Sequence, residues 1–232
     1  KEQYAFQLGD AILFLCFLIF VLYLFVFAIY SKRKPQYNYP TAKKKYRFAV
    51  LFPAYQEDEV IIDSVKNFLV QEYPRERYDI IVISNQMRQD TIDNLKALSA
   101  KVVKMDSPQS TKIEALKEAI HYIEKGDIKY DNVVILDADN IVKPSYLEKI
   151  NDALYAGCSA LQTHRVAKNR DSNIAVLDSV SEEINNSIFR KGHTRLGFSS
   201  ALSGSGMAFE YELFKDIIQE CHDIGEDKYM ER

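Results

Sequence analysis

The spacing of apolar positions changes character along this chain. From Ala11 to Tyr30, twenty residues pass without a charge, a glycine or a proline, and the run is apolar all round rather than striped. That is the length an α-helix needs to cross the hydrocarbon core of a bilayer, so the run predicts a transmembrane helix. A secretory signal would carry a shorter apolar stretch and a small-residue cleavage site. This run instead ends in Ala28-Ile29-Tyr30 and meets Ser31-Lys32-Arg33-Lys34.

From Phe48 onward, short β-rich runs alternate with runs of helical period. Strands are expected at 48–53, 79–84, 101–105 and 132–137, and helices at 58–71, 90–98 and 111–124. A further helix is expected from Pro144 to about Tyr155, because proline is favoured in a first turn. The Val133-Val134-Ile135-Leu136 run suits a strand covered on both faces. The βαβ order predicts an α/β fold with a mostly parallel, Rossmann-like sheet and a ligand site at the carboxyl ends of its strands. Beyond Gly157 the pattern is less regular: a strand at 160–166, a long helix at about 173–190, and a Gly/Ser-rich turn around Gly204. The domain reading is an anchor with its basic flank at 1–34, a linker at 35–47 and the α/β domain at 48–232.

Charge orients this arrangement. Lys32, Arg33, Lys34, Lys43, Lys44, Lys45 and Arg47 follow the apolar run, whereas only Lys1 precedes it, so the α/β domain is expected on the cytoplasmic side of the cell membrane. The basic stretch suits either a solvated linker or contact with anionic membrane lipid. A net charge of −3 gives no reason to expect nucleic acid as a partner. Three cysteines without metal-type spacing fit a reducing compartment, with Cys158 and Cys221 as small core fillers.

No strand is followed by a Gly-rich dinucleotide fingerprint or a P-loop, which disfavours NAD enzymes and P-loop NTPases. The sharpest chemical signal is Asp137-Ala138-Asp139 after the fourth strand. Positions two apart share a strand face, and paired carboxylates there suit Mg²⁺ or Mn²⁺ bridging to a diphosphate. The first strand leads into Pro53-Ala54-Tyr55-Gln56-Glu57, a Gly-rich segment spans Leu202-Ser203-Gly204-Ser205-Gly206-Met207-Ala208-Phe209, and Gly225-Glu226-Asp227 follows. Each motif alone is weak. Each also has an ordinary reading as a polar loop, turn glycine or helix-opening acid.

Four such motifs in this order closely resemble the inverting nucleotide-sugar glycosyltransferases of the family 2 type with a GT-A fold, whose members include cellulose and hyaluronan synthase-like enzymes. The resemblance covers Phe48 to Arg232. It implies a nucleotide diphosphate-sugar donor, with UDP the favoured carrier, and a saccharide or lipid-linked acceptor. The product would serve cell-surface polysaccharide or glycolipid synthesis. By resemblance, Tyr55 lies against the base, Glu57 reaches the base or ribose, and Lys112 helps hold the nucleotide. Asp137 and Asp139 are the metal ligands, Gly204, Ser205, Gly206 and Glu226 lie near the sugar and acceptor, and Asp227 is the general base.

Two departures stand out. Where the family has an aspartate after its second strand, this chain has Asn85, whose amide oxygen still accepts a hydrogen bond but carries no charge. Processive relatives also continue into a Gln-X-X-Arg-Trp motif and further membrane helices, so the native chain is expected to extend past Arg232. Asn85 leaves open a second reading, a degenerate transferase that binds nucleotide or scaffolds a membrane complex. A haloacid-dehalogenase-like phosphatase fits less well, because Asn140-Ile141 replaces the Gly-Thr-like continuation of its aspartate pair.

Overall fold

The computed structural model describes residues 2–32, 39–105, 110–169 and 171–221. Two compact units emerge: Lys1–Gln36 with Arg165–Ala201, and Tyr37–His164 with Leu202–Arg232.

The second unit is a six-stranded sheet of order β3-β2-β1-β4-β6-β5. Its strands are β1 (Phe48–Tyr55), β2 (Tyr78–Asn85), β3 (Lys101–Lys104), β4 (Asn132–Ile135), β5 (Ala160–Gln162) and β6 (Met207–Glu210). β1 pairs in parallel with both β2 and β4, β2 in parallel with β3, and β6 runs antiparallel to β4 and β5. Helices α2 (Ile61–Phe68), α3 (Gln89–Ala97), α4 (Lys112–Glu124), α5 (Tyr146–Tyr155) and α8 (Tyr211–Glu220) complete the unit.

Strand alternation divides the core between the two faces of the sheet. Ala49, Leu51, Ile81, Ile83, Val133, Ile135 and Phe209 pack on one side with Leu116 and Ile120 of α4 and Phe214 of α8. Phe48, Val50, Phe52, Ile80, Val82 and Val134 pack on the other with Ile61, Val65 and Phe68 of α2, Leu95 of α3 and Leu147 of α5. Both faces are covered, which is why β1 and β4 read as continuous apolar runs.

Several expected boundaries move. The helix expected from Asp58 begins at Ile61, because Val60 and Ile61 donate their backbone N–H groups to Glu57 O in a turn. Pro144 lies outside α5: its carbonyl accepts from Glu72 N at 2.8 Å, and the helix starts after Ser145. β5 stops at Gln162, since Thr163 turns both its backbone N–H and its hydroxyl to Gly206 O. β6 and α8 carry no sequence expectation: Met207-Ala208-Phe209, the end of the Gly-rich segment, forms most of a strand, and a helix follows it.

The first unit holds α1 (Glu2–Ser31), α6 (Asn173–Ile184), a π-helical segment (Asn185–Gly192) and the single turn α7 (His193–Arg195). The helix expected at 173–190 thus widens after Ile184. Phe6–Ser31 is one helix long and apolar enough, by length and composition, to cross a membrane. Gly192 meets it closely: a Cβ there would fall 2.7 Å from Phe27 O.

At the amino ends of the strands, Asp79 Oδ2 accepts from Arg47 at 3.0 Å and from the Tyr130 hydroxyl at 2.9 Å, while Lys101 Nζ lies 3.5 Å from Oδ1. Burial pushes the Asp79 carboxyl up, but the bonds from Arg47 and Tyr130 and the Lys101 charge outweigh it and hold the group below its ordinary value of 3.8. A depressed folded-state pKa stabilises above the unfolded value and loses that stabilisation as pH falls through the folded one. Asp79→Asn should therefore cost about 1–3 kcal/mol at neutral pH, with the gap to wild type closing once pH drops well below the ordinary aspartate range. Denaturation in detergent over a pH series measures this, and a gap that stays constant into strong acid would rule the ion cluster out as its cause.

Candidate active site

The sheet order reverses between β1 and β4, and a cleft of about 380 Å³ opens at the carboxyl ends of β1, β2 and β4. This is the topological switch point where open α/β sheets bind ligands. Pro53, Ala54, Tyr55, Glu57, Asn85, Lys112, Asp137, Ala138 and Asp139 line it together.

Register explains this convergence. Tyr55 is paired with Asn85 at the ends of β1 and β2, so both emerge at one level. Each is followed by a glutamine with positive φ, Gln56 at 55° and Gln86 at 52°, a left-handed turn uncommon outside glycine. The two glutamines are joined, with Gln56 Nε2 donating to Gln86 Oε1 at 2.6 Å. Left-handed residues of this kind are sustained only where the surroundings hold them, and here both close their strands at the cleft.

Asp137 and Asp139 reach the cleft by a different route from the one the sequence predicted. β4 ends at Ile135, so strand alternation does not align them. A turn follows instead, closed by Asn140 N donating to Asp137 O at 3.0 Å. Asp137 N donates to Ser205 Oγ at 2.9 Å, and that hydroxyl donates to Asn140 Oδ1 at 2.5 Å. Ser205, fully buried, thus replaces the strand partner that Asp137 lacks.

The glycine segment is held against this turn. Gly206 N donates to Ile135 O, Gln162 Nε2 donates to Ser205 O at 2.9 Å, and Ser203 N donates to Gln162 Oε1 at 2.9 Å. Gly204 at φ 69° and Gly206 at φ 66° occupy the left-handed region, where a side chain would add strain. Lys112, at the start of α4, donates to Asp137 Oδ1 and to Gly204 O, both at 2.6 Å. One ammonium therefore joins the aspartate turn to the glycine loop.

Asn85 is 4% exposed. Its Nδ2 donates to Ser110 Oγ, while its Oδ1 is buried with no hydrogen-bond partner among the described residues. Such an orphan in a cleft wall costs free energy unless a ligand N–H reaches it.

Ile83, Met105, Ser110, Thr111 and Ala115 also line the cleft but were not among the expected site residues. Thr111-Lys112-Ile113-Glu114 carried a readable signal, since the T-x-x-E spacing forms a capping box that sets Lys112 in the first turn of α4. Nothing in the sequence singled out Gln162. Glu226 and Asp227 lie outside the described residues.

Asp137 and Asp139 form a two-carboxylate set. Among the described residues no group of three or more His, Cys, Asp or Glu is placed to hold a metal. Two carboxylates fit Mg²⁺ or Mn²⁺ in sites where phosphate oxygens and water complete the shell.

The sequence profile of glycosyltransferase like family 2 matches residues 46–232. The chain belongs to that family. No curated protein matches this glycosyltransferase-family sequence. Among solved structures, a mannosyltransferase from Pyrobaculum calidifontis in complex with GDP-Man and Mn²⁺ is 19% identical, with a TM-score of 0.65 over 90% of this chain and 57% of its own. S. aureus TarS 1-349 in complex with UDP is 14% identical, with a TM-score of 0.59 over 79% of this chain and 54% of its own. The family 2 chain therefore spans just over half the length of each. At these identities the likeness carries the fold, which is GT-A, a mixed α/β architecture with an N-terminal apolar helix.

Ser205→Ala should lower stability by about 1–3 kcal/mol, because it leaves the Asp137 N–H without its best acceptor. Chemical denaturation checks the magnitude, and an unchanged midpoint would show that Asn140 alone satisfies that group.

Proposed function

We propose that this chain is the donor-binding and catalytic part of an inverting glycosyltransferase that uses a nucleotide diphosphate-sugar, with UDP as the carrier. Residues 48–232 form the transferase domain, 35–47 the linker, and 1–34 a membrane anchor that keeps the domain on the cytoplasmic face. The acceptor is a saccharide or a lipid-linked sugar, and the product enters cell-surface polysaccharide or glycolipid. The observation that carries the reading is the buried, unpartnered Asn85 Oδ1 sharing one cleft with Lys112, Asp137 and Asp139.

Both kinds of carrier occur among the structural neighbours, GDP-Man in the Pyrobaculum mannosyltransferase and UDP in TarS. Asn85 separates them chemically. One N–H of its Nδ2 goes to Ser110, and Oδ1 is the amide's one acceptor, buried and unpartnered at the cleft. Uracil presents one ring N–H flanked by carbonyls. Guanine presents a ring N–H beside an amino group, and a lone acceptor leaves one of these donors without a partner. A missing hydrogen bond of this sort costs about 1–3 kcal/mol, roughly tenfold or more in affinity.

In the reaction, an acceptor hydroxyl attacks the anomeric carbon from the face opposite the diphosphate. The new oxygen–carbon bond forms as the bond to the diphosphate oxygen breaks, and Asp227 takes the hydroxyl proton. Lys112, bonded to Asp137 in the same cleft, would offset negative charge on the phosphates. Asp137 and Asp139 would hold Mg²⁺ or Mn²⁺, which supplies Lewis-acid neutralisation of the leaving diphosphate when bound. Tyr55, half exposed beside Asn85, gives the base an aromatic face.

Calorimetric titration of the detergent-solubilised chain with UDP and GDP, with and without Mn²⁺, tests the donor site. UDP should bind more tightly than GDP, Mn²⁺ should strengthen it, Asn85→Leu should erase the preference, and Asp139→Asn should erase the metal dependence. Equal affinity for the two nucleotides in wild type and Asn85→Leu would remove the base from this pocket. For the chemistry, Asp227→Asn should leave nucleotide binding intact and slow sugar transfer by about 10²-fold or more. Transfer at the wild-type rate would assign the proton to another group.

A further inference from the structure

One side chain braces the glycine loop on both sides of Gly204. Gln162 ends β5 and is in register with Met207, the first residue of β6, so its amide reaches the loop that precedes that strand. There Oε1 accepts from Ser203 N at 2.9 Å and Nε2 donates to Ser205 O at 2.9 Å. A backbone donor and a backbone acceptor two residues apart need a partner that offers one acceptor and one donor, and an uncharged amide does so. The reverse orientation would set N–H against N–H and oxygen against oxygen, so the network fixes how the amide is turned. Thr163 adds its backbone N–H and its hydroxyl to Gly206 O, both at 2.8 Å.

What the loop carries connects this brace to the cleft. Gly204, at φ 69°, turns its carbonyl to Lys112 Nζ at 2.6 Å. Ser205 Oγ accepts from Asp137 N at 2.9 Å and donates to Asn140 Oδ1, and Asn140 Nδ2 donates to Asp139 Oδ1 at 3.0 Å. The ammonium and both aspartates are thus tied to Gly204 and Ser205, the stretch that the Gln162 amide holds. The other end of the cleft has separate supports: Tyr55 and Asn85 stand on β1 and β2, and Asn85 Nδ2 donates to Ser110 Oγ. Gln162 is not among the described residues that line the cleft, so it acts through the loop rather than on a ligand.

We infer that Gln162 is a positioning residue for the phosphate and metal end of the donor site. Its two hydrogen bonds hold the glycine loop where Gly204 O meets Lys112 and Ser205 Oγ meets the aspartate turn. This rests on the donor-site reading above and adds a residue outside the cleft that serves one end of it. Loss of the groups that orient a ligating carboxylate weakens metal binding by about 10–100-fold. Gln162 stands one bond further out, which sets its expected effect at the lower end of that range and confines it to the phosphates and the metal.

Gln162→Met keeps the length of the side chain and removes both bonds. Gln162→Glu keeps an acceptor for Ser203 N and sets a carboxylate oxygen against Ser205 O. The full chain of each variant, in detergent, is titrated with UDP in the presence and absence of Mn²⁺, and with uridine, which lacks phosphates and reports the base alone. Both variants should bind UDP about tenfold more weakly in Mn²⁺, lose most of the affinity that Mn²⁺ adds in wild type, and bind uridine as wild type does. A general loosening of the fold would weaken uridine and UDP by the same factor, and that result overturns the inference. Wild-type affinity for UDP with Mn²⁺ in both variants also overturns it and leaves the donor-site reading standing. A wild-type chain that binds neither UDP nor uridine defeats that reading, and the inference with it.

Discussion

Everything in the cleft follows from the pairing of β1 with a parallel neighbour on each side. A parallel strand needs helical crossovers to return the chain, and those crossovers bury both sheet faces. With both faces occupied, open ground is left at the strand ends, and the reversal of order between β1 and β4 parts the loops there. The register does the rest. It sets Tyr55 beside Asn85, and Leu51 opposite Ile135 places the end of β4 a few residues lower, leaving room above it for the aspartate turn.

That room would be useless if the turn were free to collapse, and two interactions prevent it. Ser205 gives Asp137 N an acceptor where the strand ladder has ended. Lys112 then bridges Asp137 and the Gly204 carbonyl, so the carboxylate, the glycine loop and the first turn of α4 move together. The capping box formed by Thr111 and Glu114 fixes the direction in which Lys112 leaves α4. The arrangement is thus ordered before any ligand arrives, which lowers the cost of ordering it on binding.

Legibility in the sequence tracked the range of the interaction responsible. β1 to β4 and the helices between them were readable because apolar period is a local property, and the motif residues around Tyr55, Lys112 and Asp137 were readable because they follow those strands directly. The way Asp137 is held was not readable. It depends on Ser205, distant along the chain, and strand alternation offered a plausible but different geometry for the same two carboxylates. β6 was hidden for a related reason: four residues pairing antiparallel on both sides carry too short a pattern to stand out from the glycine turn before them. Pro144 was misplaced because its first-turn preference lost to a tertiary bond from Glu72.

α6 shows the converse limit. Its period is plainly helical, but period says only that a helix has two faces, and the usual assumption sends the apolar face to the core. Here Ser179 and Asn186 take the interior and Leu177 takes the outside. Burying the small polar side brings no large hydrophobic gain, so the hydrogen bonds of Asn186, Arg190 and Glu182 must hold the inner face together. Val176, Leu177, Val180 and Ile184 are left exposed, so it is the inner hydrogen bonds rather than apolar burial that seat this helix in its unit.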